Sequence, residues 1–251
     1  MSATRDKVAV VTGAAQGLGL AIANKLLDDN MNVVFVDRNE VQLNELKKSL
    51  LESYSADCFM MLHVDVSNVD AIYSAVQKVT DTWGRIDVLV NNAAVRKETA
   101  LEDITVDEWN SILSINLGGT FFFSQAVLKM MKNQQSGRII NISSFGGQAG
   151  PLTSGAHYCA SKAGQLVLTK VFARSLSSYG ITVNAVAPAA IKTPEMDKMD
   201  PGKLEEIKNG IPVKRFGKAE EVAEIVSYLA SDHAGYVTGA TLDINGGLLM
   251  R

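Results

Sequence analysis

The sequence predicts a doubly wound α/β fold, a parallel sheet covered by helices on both faces, in a single domain over residues 1–251. Three observations predict it. Short apolar runs rich in β-branched residues recur along the chain. Segments with apolar residues at three- and four-residue spacing lie between them. The first run passes directly into a glycine-rich turn and then a helical pattern.

The runs are "KVAVVT", "NVVFVD", "CFMMLHVD", "IDVLVNN", "RIINIS", "ITVNAVAP" and "ATLDING". Most are apolar on both faces, which suits strands of a buried parallel sheet better than strands with one wet face. Intervening segments such as "LGLAIANKLLDDN" and "AEEVAEIVSYLASD" carry an apolar stripe at helical spacing. One stretch breaks the alternation, residues 192–217, "KTPEMDKMDPGKLEEIKNGIPVKRFG", which holds three of the five prolines. A segment this long between the last two strands predicts a lid at the carboxyl ends of the strands, where ligands bind in this architecture.

With 251 residues, 47% of them hydrophobic, the chain is long enough to bury a sizeable core. A formal charge of −3 offers no basic surface for nucleic acid. No apolar run approaches the roughly 18–20 residues of a membrane span, and the start "MSATRDKVAVVTG" lacks a secretory h-region. The two cysteines, Cys58 and Cys159, make neither a disulfide framework nor a metal site, so a reducing cytoplasm and a metal-free protein are expected.

In "VTGAAQGLGLAIANKL", Gly13, Gly17 and Gly19 stand at the turn from strand to helix, with Gln16 between them. There a side chain would keep the backbone away from a diphosphate, and the helix N-terminus offers free N–H groups. The second strand ends in Asp37. A carboxylate at that place accepts hydrogen bonds from a ribose 2′-hydroxyl and repels a 2′-phosphate, which predicts NAD over NADP. Arg38 beside it is the one feature that favours the phosphate. Asp65 and Val66, after the third strand, border the expected adenine pocket, and His63 in that strand is expected to pack.

In "GAHYCASKAG", Tyr158 and Lys162 are four residues apart, on one face of a helix. An ammonium there favours phenolate over phenol, pulling the tyrosine pKa down from about 10. Such a tyrosine can pass a proton to or from a carbonyl or alcohol oxygen as hydride moves at the adjacent carbon. Cys159 and Ser161 point elsewhere and are expected to pack, Ser161 facing a strand or a ribose. His157 is expected to touch substrate, and His233 to be solvated.

Taken in order, "TGAAQGLG", "NNAA", Asn116 in "SINLGG", "NISS", "YCASK" and "YVTGATLDINGG" resemble the motifs of the short-chain dehydrogenase/reductase family over essentially the full length. The resemblance implies a Rossmann-like seven-stranded sheet of order 3-2-1-4-5-6-7, a homotetramer, and a catalytic set of Asn116, Ser144, Tyr158 and Lys162. Tyr158 would be the general acid/base and Ser144 would bond the substrate oxygen. Lys162 would hold the nicotinamide ribose, and Asn116 would maintain a helix break and a water chain returning the proton to solvent. The cofactor would also meet Leu18, Asn92, Ala93, Pro188, Ile191 and Thr193, while Asn91 would steady the central strands. Two positions depart from the pattern: Ala94 and Ala189 stand where the family usually has glycine, each adding a methyl near the cofactor.

Arg96 and Lys97, just beyond "NNAA", place cationic groups near the cleft mouth. They point to a small polar substrate such as a sugar acid or polyol, with Gly150 and His157 as further pocket residues. A 3-oxoacyl-thioester reductase is the rival, and there the resemblance would place carrier-binding arginines where Gln135 and Tyr179 stand. A non-catalytic dinucleotide sensor is a third reading, against which the intact Ser144, Tyr158 and Lys162 argue. The long helical patterns "TFFFSQAVLKMM" and "QLVLTKVFARSL" suit either core packing or a subunit interface.

Overall fold

A computed structural model describes residues 7–150, 153–192, 196 and 200–250. Its strands are β1 (Val8–Thr12), β2 (Asn32–Asp37), β3 (Phe59–His63), β4 (Val88–Asn91), β5 (Gly137–Ile142), β6 (Ile181–Pro188) and β7 (Thr241–Ile244). The main helices are α1 (Gly17–Asp28), α2 (Glu40–Leu50), α3 (Val69–Trp83), α4 (Val106–Leu113), α5 (Gly119–Gln134), α6 (Gly146–Ala149), α7 (Ala156–Leu176), α8 (Pro201–Gly210) and α9 (Ala219–Ala230).

All seven strands pair in parallel, in the order β3-β2-β1-β4-β5-β6-β7. This is the expected sheet. Every residue of β1 and β6 is buried, which is why those runs are apolar on both faces. Alternate residues feed two cores. Ala9 and Val11 meet Ile22, Leu26 and Leu27 of α1, Leu43 of α2 and Val222, Val226 and Leu229 of α9. Val8 and Val10 meet Ile72 and Val79 of α3, Phe123 and Val127 of α5 and Ala173 and Leu176 of α7. Strand order reverses between β1 and β4, so the loops at their carboxyl ends diverge and open a crevice.

One sequence expectation needs correction. α4, a five-residue π turn (Ser114–Gly118) and α5 form a continuous helical span, Val106–Gln134, long and apolar enough by composition to cross a membrane. Its buried side chains Phe123, Val127 and Met131 belong to the core under the sheet. The short segments "VDEWNSIL" and "TFFFSQAVLKMM" do not reveal it separately, because the π turn joins them.

The helix starts differ in a way that matters for function. Asn39, Asn68, Thr105 and Asp200 each accept a hydrogen bond from a first-turn amide of α2, α3, α4 and α8. Gln16 and Gly155, before α1 and α7, cap nothing with their side chains. Residues 192–217 contain α8. They are pinned at the base, where Lys192 N–H donates to Gly217 O (2.8 Å) and Gly217 N–H to Ala190 O (3.0 Å).

Candidate active site

The glycine turn is shaped by what surrounds it. Gly13 has φ +65°, and a Cβ there would lie 2.9 Å from Ala93 Cα. A Cβ on Gly19 would fall 2.0 Å from Gly13 O and 2.4 Å from Asn92 Nδ2. No side chain fits at either place. Gly17, φ +57°, faces open space, so the turn presents bare backbone at the uncapped start of α1. Bare backbone at an open helix start makes a cradle with the shape and the free N–H groups to hold a diphosphate.

Around the cradle the sequence-predicted cofactor residues converge. Gly13, Gln16, Gly17, Leu18, Gly19, Asp37, Arg38, Asp65, Val66, Asn92, Ala93 and Tyr158 line one groove. The Asp37 carboxylate accepts from Ala15 N–H and Asn39 N–H, both at 3.0 Å, so it is locked at the groove's edge. Asp65 accepts from the Ser67 amide and hydroxyl; these bonds, chiefly, hold its pKa below the usual carboxylate value, and Arg38 adds to the effect. Thr12 Oγ1 accepts from Asn92 N–H and Ala93 N–H (3.0 Å each), while Asn92 Nδ2 donates to Thr12 O (2.9 Å). These bonds tie the ends of β1 and β4 together at the crevice.

A second cavity opens beside the groove. Ser144, Tyr158, Lys162, Pro188 and Ile191 line it, with Ala94 and Ala189, and Asp200, Lys203 and Ile207 from the 192–217 segment. Tyr158 and Arg96 line both spaces. Ser144 sits in a loop held on β6 by Ser143 N–H to Val186 O and Phe145 N–H to Pro188 O (2.8 Å each). Its hydroxyl accepts from Gly146 N–H (3.1 Å) and acts on the phenol of Tyr158, pulling its pKa down.

Lys162 is fully enclosed. Its ammonium donates to Ile142 O (2.6 Å) and to Gln165 Oε1 (3.1 Å), and stands 5.7 Å from the Tyr158 ring centre. Burial lowers its pKa to about 7. Burial also raises the Tyr158 pKa, against the opposing pull of Ser144 and the Arg96 guanidinium. The expectation that Lys162 draws the tyrosine pKa down is therefore corrected: desolvation outweighs the neighbours, and the neighbours acting are Ser144 and Arg96.

Asn116 lies in the π turn, wholly buried. Its side chain accepts from Val95 N–H (2.8 Å) and donates to Val95 O and Ser161 Oγ (3.0 Å each). Ser161 donates in turn to Tyr158 O (2.7 Å), so it faces neither a strand nor the groove but links Asn116 to α7. The Asn116 carbonyl accepts from Thr120 Oγ1 (2.8 Å) and Gln165 Nε2 (3.0 Å). The side-chain amide of Gln165 thereby links the Asn116 carbonyl to the Lys162 ammonium. Asn91 bonds Ser124 and Asn141, joining β4 to α5 and β5.

His157 does not reach the cavity. Its ring is completely buried, with Nδ1 accepting from Tyr158 N–H (2.9 Å) and Nε2 2.8 Å from Glu108 Oε1. Since Nδ1 accepts, the proton lies on Nε2 and is donated to the carboxylate. The ring caps the amide that Gly155 leaves free at the start of α7. Gly155 has to be glycine for this, because a Cβ there would be 2.5 Å from the imidazole. Hydrogen bonds from Lys97, Thr99 and His157 hold Glu108 at a pKa of about 2. Gly150, φ +87°, ends α6 and does not line the cleft, and Thr193 lies outside the described residues. Arg96 donates to Thr153 (3.3 Å) and Glu98 (3.1 Å), and Glu98 accepts from Lys203 of α8 (3.3 Å).

The other reactive side chains fall away from the chemistry. His63 does not pack: its side chain is about half exposed, 3.8 Å from Glu40. His233 is exposed, as expected. Cys159 Sγ would be 3.3 Å from a Cβ on Gly146, so it packs α7 against α6, and burial raises its thiol pKa. Gly164 lets α7 approach the π turn, since a Cβ there would meet the Leu117 methyls at 2.9 Å. Glu108 and Gln165 escaped the sequence reading. Gln165 had a signal: with Tyr158, Lys162 and Thr169 it makes a polar stripe at helical spacing on a helix that must pack a core.

Comparison with known proteins agrees with this geometry. A family model described as enoyl-(acyl carrier protein) reductase matches residues 13–249. The 3-oxoacyl-(acyl-carrier-protein) reductase of Staphylococcus epidermidis is 38% identical over 250 residues, covering 98% of this chain and all of that protein. The enzyme of that name from Thermotoga maritima is 38% identical over 246 residues, 97% of this chain and 98% of its own. The crystal structure of levodione reductase superposes with a TM-score of 0.91 at 35% identity, over 98% of each chain. Sheet order, cleft and kinship agree: the chain belongs to the short-chain dehydrogenase/reductase family, nicotinamide-dependent oxidoreductases acting on CH–OH groups.

Proposed function

We propose that the protein is an NAD-linked dehydrogenase interconverting a secondary alcohol and a ketone on a small polar substrate such as a sugar acid or polyol. One observation carries the reaction type: Tyr158 stands where the dinucleotide groove meets the second cavity, with Ser144 on its hydroxyl and Lys162 behind its ring. The glycine cradle and the open start of α1 fit a dinucleotide diphosphate, and Asp37 fits the adenosine ribose diol. When bound, the dinucleotide donates or accepts the hydride. Tyr158 hands its phenolic proton to the ketone oxygen in reduction and takes it back in oxidation. Ser144 orients that oxygen and stabilises the charge on it. Lys162 keeps one ammonium donor for the cleft, since Ile142 O and Gln165 Oε1 take the other two.

Asp37 supports NAD because its carboxylate, fixed by two backbone amides, would face a 2′-phosphate. Arg96, at the junction of the two spaces, supports an anionic substrate. The relatives named 3-oxoacyl-(acyl-carrier-protein) reductase support a second reading, reduction of a 3-oxoacyl thioester with NADPH. Against it, Gln135 and Tyr179 stand where carrier-binding arginines would be. Sugar acids, polyols and simple secondary alcohols with NAD, and acetoacetyl-CoA with NADPH, followed by absorbance of the reduced cofactor, separate the readings. Turnover of the thioester alone would overturn the sugar-acid reading. A homotetramer in the cytoplasm completes the proposal, supported by exposed Val167 and Val171 on α7 beside the Phe121–Phe172 ring contact. Sedimentation equilibrium at a monomer mass would remove the tetramer.

A further inference from the structure

Gln165 is completely buried, three residues after Lys162 on the same helix, and every polar atom of its side chain is engaged. Its orientation follows from its neighbours. The Thr120 hydroxyl spends its proton on Asn116 O (2.8 Å), so towards Gln165 it can only accept. Asn116 O also only accepts. The end of Gln165 facing these two atoms, at 2.6 and 3.0 Å, must therefore be the NH2 group. Its carbonyl oxygen is left facing Lys162, which needs an acceptor. Flipping the amide would set oxygen against oxygen on one side and NH2 against ammonium on the other.

Lys162 has little else to hold it. It is an interior cation, and among the described residues no charged group offsets its burial. The titratable group beside it is the Tyr158 phenol, 5.7 Å away at the ring centre. Its two acceptors are Ile142 O, fixed by the end of β5, and Gln165 Oε1, fixed through Thr120 and Asn116 by the π turn. Two acceptors on different elements set the direction of the third N–H, towards the cleft. Removing one lets the chain swing and leaves an ammonium donor unpaired in the interior.

We propose that Gln165 is a positioning residue of the reaction: its amide braces the Lys162 ammonium against the π turn, so that the remaining donor of Lys162 is aimed at the cofactor ribose and Tyr158. The bridge is an amide, which accepts from the ammonium and donates to the π turn at once. This rests on the roles given above to Tyr158 and Lys162. It adds a residue whose conversion to a same-sized apolar side chain should change the chemistry without changing the cleft lining.

The test uses Gln165→Met, Gln165→Glu and Thr120→Val in the full chain. Folding is checked by circular dichroism and NADH binding by fluorescence. Titration of Lys162 is read by NMR of 13Cε-labelled lysine, assigned with Lys162→Met. Losing one acceptor of the charged form should lower the Lys162 midpoint in Gln165→Met by about one pH unit. Gln165→Glu, which keeps an acceptor, should restore or raise it. With acetoacetyl-CoA or a keto sugar acid, whichever the wild type reduces, Gln165→Met should lower kcat about tenfold while the ketone KM moves less than about twofold. The fall of rate at high pH should begin about one unit lower. A folded Gln165→Met with the wild-type Lys162 midpoint, or with wild-type kcat and pH profile, overturns the proposal. If Gln165→Met does not fold, Thr120→Val decides: it loosens the bridge from the far end and should move both readouts the same way by about a third as much, and an unchanged Thr120→Val overturns the proposal. Tyr158→Phe separates the two layers. Full activity in that variant overturns the tyrosine reading itself, whereas an inactive Tyr158→Phe beside an unchanged Gln165→Met overturns only the role of Gln165.

Discussion

The groove at the glycine turn and the second cavity share five lining residues, Tyr158 and Arg96 among them, yet they are built by opposite means. The groove is mostly backbone: a turn that bends only with glycine, the open start of α1, and a carboxylate fixed by two amides. The cavity is backed by a hydrogen-bond network, running from Glu108 through His157 to the start of α7, and from Ile142 O through Lys162 and Gln165 to the π turn. The two helix starts show the contrast in miniature. α1 leaves its amides open for a ligand, while α7, equally lacking a capping side chain at Gly155, has an amide taken by a folded-back histidine. A helix start is an anion site only where nothing in the protein claims its amides first.

The largest effect that sharpens this comparison is at Tyr158, one of the shared residues. Tyr158→Phe should cut turnover by about a thousandfold, the middle of the range for a lost general acid. NADH affinity should stay within about threefold, because the groove's backbone is untouched; steady-state rates and fluorescence titration check both. Next, Asp37→Asn should weaken NADH and strengthen NADPH, narrowing the ratio of their dissociation constants by about tenfold, or 1.4 kcal/mol. An unchanged ratio would break the claim that the groove selects its ligand through this carboxylate. Arg96→Ala acts on the cavity side. It should raise KM for an anionic sugar acid about tenfold and for a neutral polyol less than about threefold. Equal effects would return Arg96 to the rim, where Thr153 and Glu98 already engage it.

The smallest effect concerns stability. Glu108 has a folded pKa of about 2, below its ordinary 4.5, so its contribution to stability is fully present above about pH 4.5 and fades as pH falls towards 2. Glu108→Gln should therefore lower the thermal midpoint by a few degrees at pH 7, and the gap from wild type should close below pH 4.5. A gap that persists at pH 2.5 would mean that packing, and not the charge of Glu108, supports the start of α7.

The groove was legible in the sequence because its parts are local. Gly13, Gly17 and Gly19 announce a turn no other residue can make, and Asp37 closes the very next strand. Alternation predicts a doubly wound sheet, while the strand order is expected only from the resemblance of the ordered motifs to the family's. The cavity was legible only at its tips. Tyr158 and Lys162 stood out by spacing, but the pull on the phenol comes from Ser144 and Arg96, and burial outweighs it. His157 looked like a pocket residue because the sequence does not show Glu108, 49 positions earlier, waiting for its ring. Ser161 and Gln165 passed as helix residues because their acceptors and donors lie on the π turn, which no local propensity marks.

The sequence by itself determined the sheet, its two cores, the bare-backbone cradle and the identity of the tyrosine–lysine pair. These depend on periodicity, on glycine geometry and on neighbours within a turn of helix. Tertiary structure alone decided how the pair is held: which carbonyls receive the lysine's protons, which way the glutamine amide faces, and which imidazole nitrogen carries its hydrogen. A buried polar group must find its partner wherever the fold brings one, and here the partners come from β5, the π turn and α4, 20 to 49 residues away.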